Sequence, residues 1–170
     1  MGDQVSIITP AYNSARFLAD TIKSVINQSY QNWEMIVVDD GSDDNTTRIV
    51  SSFGDPRIRC ISHSIRQGAA AARNTGLRAA RGRWIAFLDS DDLWEADKLE
   101  RQIRFMEDND YAFSYTSYLE VDAANQPTGR VVSGPKHIGK WGMYAYCWPG
   151  CLTVMYDTLP VGWLAASTSR

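Results

Sequence analysis

Little in these 170 residues suits a disulfide scaffold, a zinc centre, a membrane span or a nucleic-acid clamp. The three cysteines, Cys60, Cys147 and Cys151, are odd in number and show no CxxC spacing, and the two histidines, His63 and His137, are not arranged with them as a zinc quartet. A reducing compartment is the simpler inference, and a cytoplasmic location is expected. No run of about 18 apolar residues occurs, and no basic segment followed by an apolar stretch opens the chain, so neither a span nor a secretion signal is expected. Met1-Gly2 with Ser6 fits a myristoylation pattern, yet Val5 to Ile8 are needed as a strand. A net charge of −3 carries no basic footprint for nucleic acid. What remains is ordinary for one globular domain: 44% hydrophobic and 22% charged residues.

The apolar pattern alternates between two periods. Val5 to Thr9 is a β-branched run closed by Pro10, followed by a helix-spaced set, Phe17, Leu18, Ile22, Val25 and Ile26. Trp33 to Val38 repeats the strand signal and ends at Asp39-Asp40-Gly41-Ser42, before a helix carrying Ile49, Val50 and Phe53. Arg57 to Ile61 reads as a third strand, Gln67 to Ala80 as an alanine-rich helix, Arg83 to Leu88 as a fourth strand, and Glu95 to Asn109 as a helix with Leu99, Ile103 and Met106 inward. Four strand-then-helix units predict an α/β fold, a mainly parallel Rossmann-like sheet with helices on both faces. Beyond Asn109, strands are expected over Tyr111 to Tyr118 and Leu119 to Asp122. A turn at 124–129 and Arg130-Val131-Val132 complete a β-hairpin near the sheet edge. From Ser133 onward, glycine, proline and aromatics prevail without a period.

Polar clusters fall where the strands end. Pro10-Ala11-Tyr12-Asn13 follows the first strand, Asp39-Asp40-Gly41-Ser42 the second and Asp89-Ser90-Asp91-Asp92 the fourth. In a parallel α/β sheet that edge binds ligands. Each cluster has a plainer explanation: Asp39 to Ser42 as a turn and cap, Tyr12 as a surface aromatic, Asn13 as an N-cap, and Arg73 as a solvated charge on a close-packed helix. The acidic tetrad is the hardest to dismiss. Like charges about 4 Å apart repel by roughly 1 kcal/mol in water and about 4 kcal/mol at the effective dielectric of a protein surface. Either a divalent cation such as Mg²⁺ or Mn²⁺ reverses that sign, or the tetrad is the acidic start of a helix.

In order and spacing, VSIITPAYN (5–13), MIVVDDGSDDNT (35–46), RQGAAAARNTGLRAARGRWIAFLDSDD (66–92) and GCLTVMY (150–156) resemble family 2 glycosyltransferases, the inverting nucleotide-sugar transferases of GT-A type fold. The resemblance implies one domain over residues 1–170, with a nucleotide-sugar-binding half in 1–110 and part of an acceptor-side half in 111–170. It implies that Tyr12 lies against the nucleotide base, that Asp40 accepts a hydrogen bond from it, that Pro10 and Ala11 shape the pocket, and that Asp39 supports the same loop. It puts Arg73 beside the nucleotide, and makes Asp89, Ser90 and Asp91 the DXD segment. Asp91 or Asp92 would then hold Mg²⁺ or Mn²⁺, with the neighbouring carboxylate near the ribose. The implied partners are a nucleotide-sugar donor, UDP-linked by the pairing of an aromatic ring with an acceptor carboxylate, and a saccharide or lipid-linked acceptor. Peripheral attachment to the inner face of a membrane through the aromatic stretch Trp141 to Trp148 is a further expectation.

One departure matters. Such enzymes carry a late acidic pair that supplies the general base, and here the only acid after Asp122 is Asp157, directly behind GCLTVMY and too early for that role. A non-catalytic nucleotide-sugar-binding fragment is therefore the competing reading. Receiver and haloacid-phosphatase folds also place aspartates at strand ends, but the first strand here ends in Thr9-Pro10 with no carboxylate, and no lysine follows a late strand.

Overall fold

The computed structural model describes residues 2–122, 124, 126–134 and 150–161. A six-stranded sheet runs in the order β3-β2-β1-β4-β8-β5, where β1 is Val5–Ala11, β2 Trp33–Asp39, β3 Ile58–Ser62, β4 Trp84–Phe87, β5 Phe113–Ser114 and β8 Met155–Asp157. The first four strands are parallel, and β8 is antiparallel to both β4 and β5. Helices α1 (Leu18–Ile26), α2 (Thr46–Ser52), α3 (Ala69–Ala79) and α4 (Lys98–Asn109) connect or flank them, and a short α5 (Thr158–Val161) follows β8.

Strand alternation sorts the core into two faces. Val5, Ile7, Met35, Val37 and Ala86 pack with Leu18, Ile22 and Val25 of α1, Val50 of α2, and Leu99, Ile103 and Met106 of α4. The opposite set, Ile8 and Ile85 with Leu77, and Ile36 and Val38 with Ala72, lies under α3. Every residue of β1 and β2 is buried, which is why those segments read as unbroken apolar runs. Polar Ser6 and Glu34 are tolerated there because each is satisfied. The Ser6 hydroxyl donates to Glu34 at 2.7 Å, Glu34 accepts the Arg81 N–H at 2.7 Å, and Ser6 accepts the Gly82 N–H at 2.8 Å.

Gly76 lets α3 approach the sheet. A Cβ at that position would stand 2.5 Å from Cγ2 of fully buried Ile8. Gly76→Ala gains about 1 kcal/mol of helix propensity, but overpacking a core typically costs about 1–3 kcal/mol. A net loss of about 1 kcal/mol or more is expected in urea unfolding, and a gain would show that the α3 contact yields.

The structure corrects the region after α4. The strand expected over Tyr111 to Tyr118 is only the two-residue β5, and β6 (Tyr118–Val121) pairs with β7 (Pro127–Val132) in a separate two-stranded sheet. Pro127 and Gly129, expected in the turn, belong to β7. An unforeseen strand, β8, is inserted between β4 and β5. Its Asp157 takes a bidentate pair from Arg83 of the segment before β4, at 2.6–3.1 Å. Burial pushes the Asp157 carboxyl up, but the Arg83 contact outweighs it and holds the group below 3.8. The two helices expected from Gln67 and Glu95 start at Ala69 and Lys98. Trp141 to Trp148 lie outside the described residues.

Candidate active site

The carboxyl ends of β1, β2, β3 and β4 meet at one edge, where side chains join their loops. The Asn13 N–H donates to the Ser42 hydroxyl at 2.9 Å, the Ser14 N–H to the Thr46 hydroxyl at 2.9 Å, and the Ala15 N–H to Asp44 at 2.9 Å. The Ser14 and Ser90 hydroxyls lie 2.7 Å apart, and Thr21 donates to the Ser90 carbonyl at 3.0 Å. Ser90 thus ties the β4 loop to the β1 loop.

This edge holds a cavity of about 290 Å³ lined by Pro10, Ala11, Tyr12, Asp40, Arg66, Ala69, Ala72, Arg73, Asp89, Ser90 and Asp91. The structure therefore brings together eight of the ten residues singled out in the sequence. Asp39 is not among the lining residues. It is the last residue of β2 and buried, and its Oδ1 accepts from the Ser42 N–H at 3.3 Å and from the Ser42 hydroxyl. Successive side chains alternate, so Asp39 and Asp40 serve different neighbours. Asp92 lines a second, larger cavity of about 830 Å³, bounded also by Asp91, Trp94, Lys98, Leu152 and the β6–β7 hairpin. Asp91 borders both.

Asp40 is buried and heavily bonded. It accepts from His63 Nδ1 at 2.7 Å, the Gln67 N–H at 2.9 Å and the Gly68 N–H at 2.6 Å. Burial pushes its carboxyl up, and these bonds more than reverse that, holding it below the usual 3.8. A carboxylate offers about four lone-pair sites, so Asp40 retains one for a ligand. His63 spans from Asp40 to the Thr75 hydroxyl, 2.9 Å from Nε2, and so links the loop to α3. With Nδ1–H committed to a carboxylate, neutral His63 accepts at Nε2.

Gly41, at φ +76°, lets the β2 loop run under this segment; a Cβ there would lie 3.0 Å from the Arg66 backbone nitrogen. The segment so fixed carries Arg66, whose guanidinium stacks on the Tyr12 ring at 4.1 Å from its centroid. Sequence reasoning missed His63 and Arg66. The signal was available for His63, which follows the third strand at the same edge as the other clusters. Arg66 lies beside Gln67-Gly68 but belongs to no cluster.

Arg73 donates to Asp89 Oδ1 at 2.7 Å. Burial works against its charge, but Asp89 and then Cys151 raise its pKa. In the acidic tetrad, burial, then Asp91, then Asp89 push the Asp92 carboxyl up to about 6. The helix-start explanation of this tetrad fails, because α4 begins at Lys98 with Asp97 at its N-cap. Asp89 is engaged by Arg73, whereas among the described residues Asp91 and Asp92 are neighbouring carboxylates in no ion pair. Among the described residues, no group of three or more His, Cys, Asp or Glu side chains is set to hold a metal alone. Two carboxylates do suit Mg²⁺ or Mn²⁺ when substrate phosphates complete the shell.

The glycosyl transferase family 2 model matches residues 6–146. The chain belongs to that family. This family 2 glycosyltransferase chain is 46% identical over 153 residues to the UDP-Glc:alpha-D-GlcNAc-diphosphoundecaprenol beta-1,3-glucosyltransferase WfgD of Escherichia coli, covering 90% of the chain and 60% of that relative. It is 42% identical over 160 residues to the putative teichuronic acid biosynthesis glycosyltransferase TuaG of Bacillus subtilis, covering 93% of the chain and 64% of that relative. The chain thus spans about three fifths of the length of these curated relatives. Staphylococcus aureus TarS 1–349 in complex with UDP shares the fold, with a TM-score of 0.73 at 23% identity over 91% of this chain and 47% of that one. The mannosyltransferase PcManGT of Pyrobaculum calidifontis, in complex with GDP-Man and Mn²⁺, aligns with a TM-score of 0.63 at 28% identity over 68% of this chain and 36% of that one. Among the described residues, no helix of this family member is long and apolar enough to cross a membrane.

Proposed function

We propose that residues 1–110 bind a nucleoside diphosphate sugar, UDP-linked, and that residues 111–170 form part of the acceptor side of a transferase. That enzyme passes the sugar with inversion to a hydroxyl of a lipid-linked saccharide at the inner face of a membrane. The observation that carries this reading is the single cavity to which the ends of β1, β2 and β4 contribute Tyr12, Asp40 and Asp91, and to which α3 contributes Arg73. Tyr12 offers a ring for the base, and Asp40 offers its remaining lone pair to a base N–H. Asp91 and Asp92 would hold Mg²⁺ or Mn²⁺, which when bound would supply positive charge for a departing diphosphate. Arg73, kept in place by Asp89, adds a cation on the same side. The names of WfgD and PcManGT, with a diphospholipid acceptor and Mn²⁺ respectively, accord with the acceptor class and the metal.

UDP with Mn²⁺ should raise the melting temperature of the chain, because a ligand that binds only the native state stabilises it. A ligand at 100 times its Kd contributes about 2.7 kcal/mol. No shift with UDP, GDP or dTDP in the presence of metal would remove the proposal.

The binding-fragment reading is favoured by one observation: Asp157, the only acid after Asp122 in these 170 residues, is engaged by Arg83. Donor hydrolysis or transfer by the chain distinguishes the two readings, since the fragment binds without turnover.

A further inference from the structure

Lys98 is placed at a disadvantage three times over. It is the first residue of α4, where the helix dipole disfavours a cation. Its ammonium nitrogen is shut away from water and has no hydrogen-bond partner, although part of the side chain's stem is exposed. Among the described residues its compensating contact is the face of Trp94, 3.8 Å from Nζ to the ring centroid. Desolvation accordingly brings its pKa down to about 7. Trp94 is itself held rigidly, buried and donating from Nε1 to the Leu152 carbonyl at 2.9 Å. A buried polar group left unsatisfied calls for an explanation.

The explanation lies in the larger cavity, about 830 Å³, whose wall includes Lys98 and Trp94. The acids that share it are accounted for. Glu120 pairs with Arg130 at 3.1 Å, and Asp122 accepts the N–H groups of Ala124 and Gln126 at 2.8 and 2.9 Å. Glu95 is exposed, and Asp91 and Asp92 are the proposed cation ligands. Among the described lining residues Lys98 is the one cation, and it forms no ion pair; the uncharged wall sets Phe17, Leu93, Leu119, Val121 and Val131 beside Thr116, Ser117, Tyr118 and Thr128. A flexible four-carbon stem lets its ammonium turn to meet an anion. A cation beside apolar wall suits an amphiphile, with a charged head and a hydrocarbon tail.

We infer that this cavity is the acceptor seat and that Lys98 binds the phosphate or diphosphate of an acceptor whose tail lies along Leu119, Val121 and Val131. The inference rests on the proposed function in calling the occupant an acceptor and in giving Asp91 and Asp92 to a cation; it does not require a bound nucleotide.

The test is calorimetric titration of the full chain in Mg²⁺ with decyl diphosphate, with decyl glucoside as the uncharged tail and with inorganic pyrophosphate as the bare head. Decyl diphosphate should bind at least tenfold more tightly than either. Lys98→Met should remove that advantage while leaving decyl glucoside unchanged, and Lys98→Arg should largely preserve it. Lys98→Met should also melt at or above the wild-type temperature, because it deletes an unpartnered buried cation, so loss of binding cannot be ascribed to misfolding. Binding that is insensitive to Lys98→Met but lost in Asp91→Ala is capture by the metal and overturns the inference. So does pyrophosphate binding as tightly as decyl diphosphate. A wild-type chain that ignores UDP and Mn²⁺ yet binds decyl diphosphate through Lys98 defeats the donor reading and leaves this one standing.

Discussion

Asp91→Ala should weaken the UDP·Mn²⁺ complex by about 100-fold or more, equivalent to about 2.7 kcal/mol, while changing the affinity for UDP without metal by little. The two effects separate because Asp91 borders the donor cavity through a carboxylate that only a cation can connect to a diphosphate. The same variant should leave the unliganded chain as stable as the wild type, or slightly more so. Asp91 raises the pKa of Asp92, so deleting it relieves repulsion between like charges. A helix cap would behave in the opposite way, losing about 1 kcal/mol of stability on truncation. Titration of both forms with and without Mn²⁺, alongside their melting curves, reads both signs. Unchanged affinity with Mn²⁺ would remove Asp91 from the metal site.

Asp40→Ala should be the most destabilising change at this edge. Truncation leaves the Gln67 and Gly68 N–H groups and His63 Nδ1–H without their acceptor. Each buried unsatisfied group costs about 1–3 kcal/mol. With some water reaching the rim, a loss of about 3 kcal/mol is expected, or about 6–12 °C in Tm for a domain of this size. UDP affinity should fall with it, because the segment that Asp40 anchors carries Arg66 onto Tyr12. The sign of the pH dependence follows from the lowered Asp40 pKa. Stability contributed by a depressed carboxyl is fully present above its unfolded value near 3.8 and is lost as pH falls through the lower folded value. The gap between wild type and Asp40→Ala should therefore hold from neutral pH down to about 4 and narrow below it. A Tm loss of less than about 2 °C would show that the loop is anchored elsewhere.

Sequence and structure agree where one signal decides the outcome. The strands β1 and β2 are legible because both faces are covered, so polar residues are few: Ser6 and Glu34, which bond to each other, Thr9, and Asp39 at the end of β2. The polar edge is legible because Pro10 and Ala11 close β1 and Tyr12, Asp40 and Asp89 to Asp92 come just after strands. The elements β5 and β8 are not legible: two and three residues long, they are specified by pairing with each other and with β4. The partners of Asp40 were hidden for a related reason. Two are backbone N–H groups, which every residue except proline offers alike, and the third is a histidine 23 positions away. Asp157 shows the converse error open to motif reading, since an acid near a conspicuous segment turned out to clamp Arg83. For the tetrad, two readings both began with aspartates, and the start of α4 at Lys98 removes the helix-start one.

The hydrogen bonds among Asn13, Ser14, Thr21, Ser42 and Ser90 join three loops of different strands into one body. The backbone positions that carry Tyr12 and Asp91 are consequently held relative to one another when the chain folds. Ordering of these loops is completed before any ligand arrives, so binding need not bear that entropic loss. For the proposed donor, such an edge would serve as a ruler, matched to molecules that present a ring and a charge at one particular spacing.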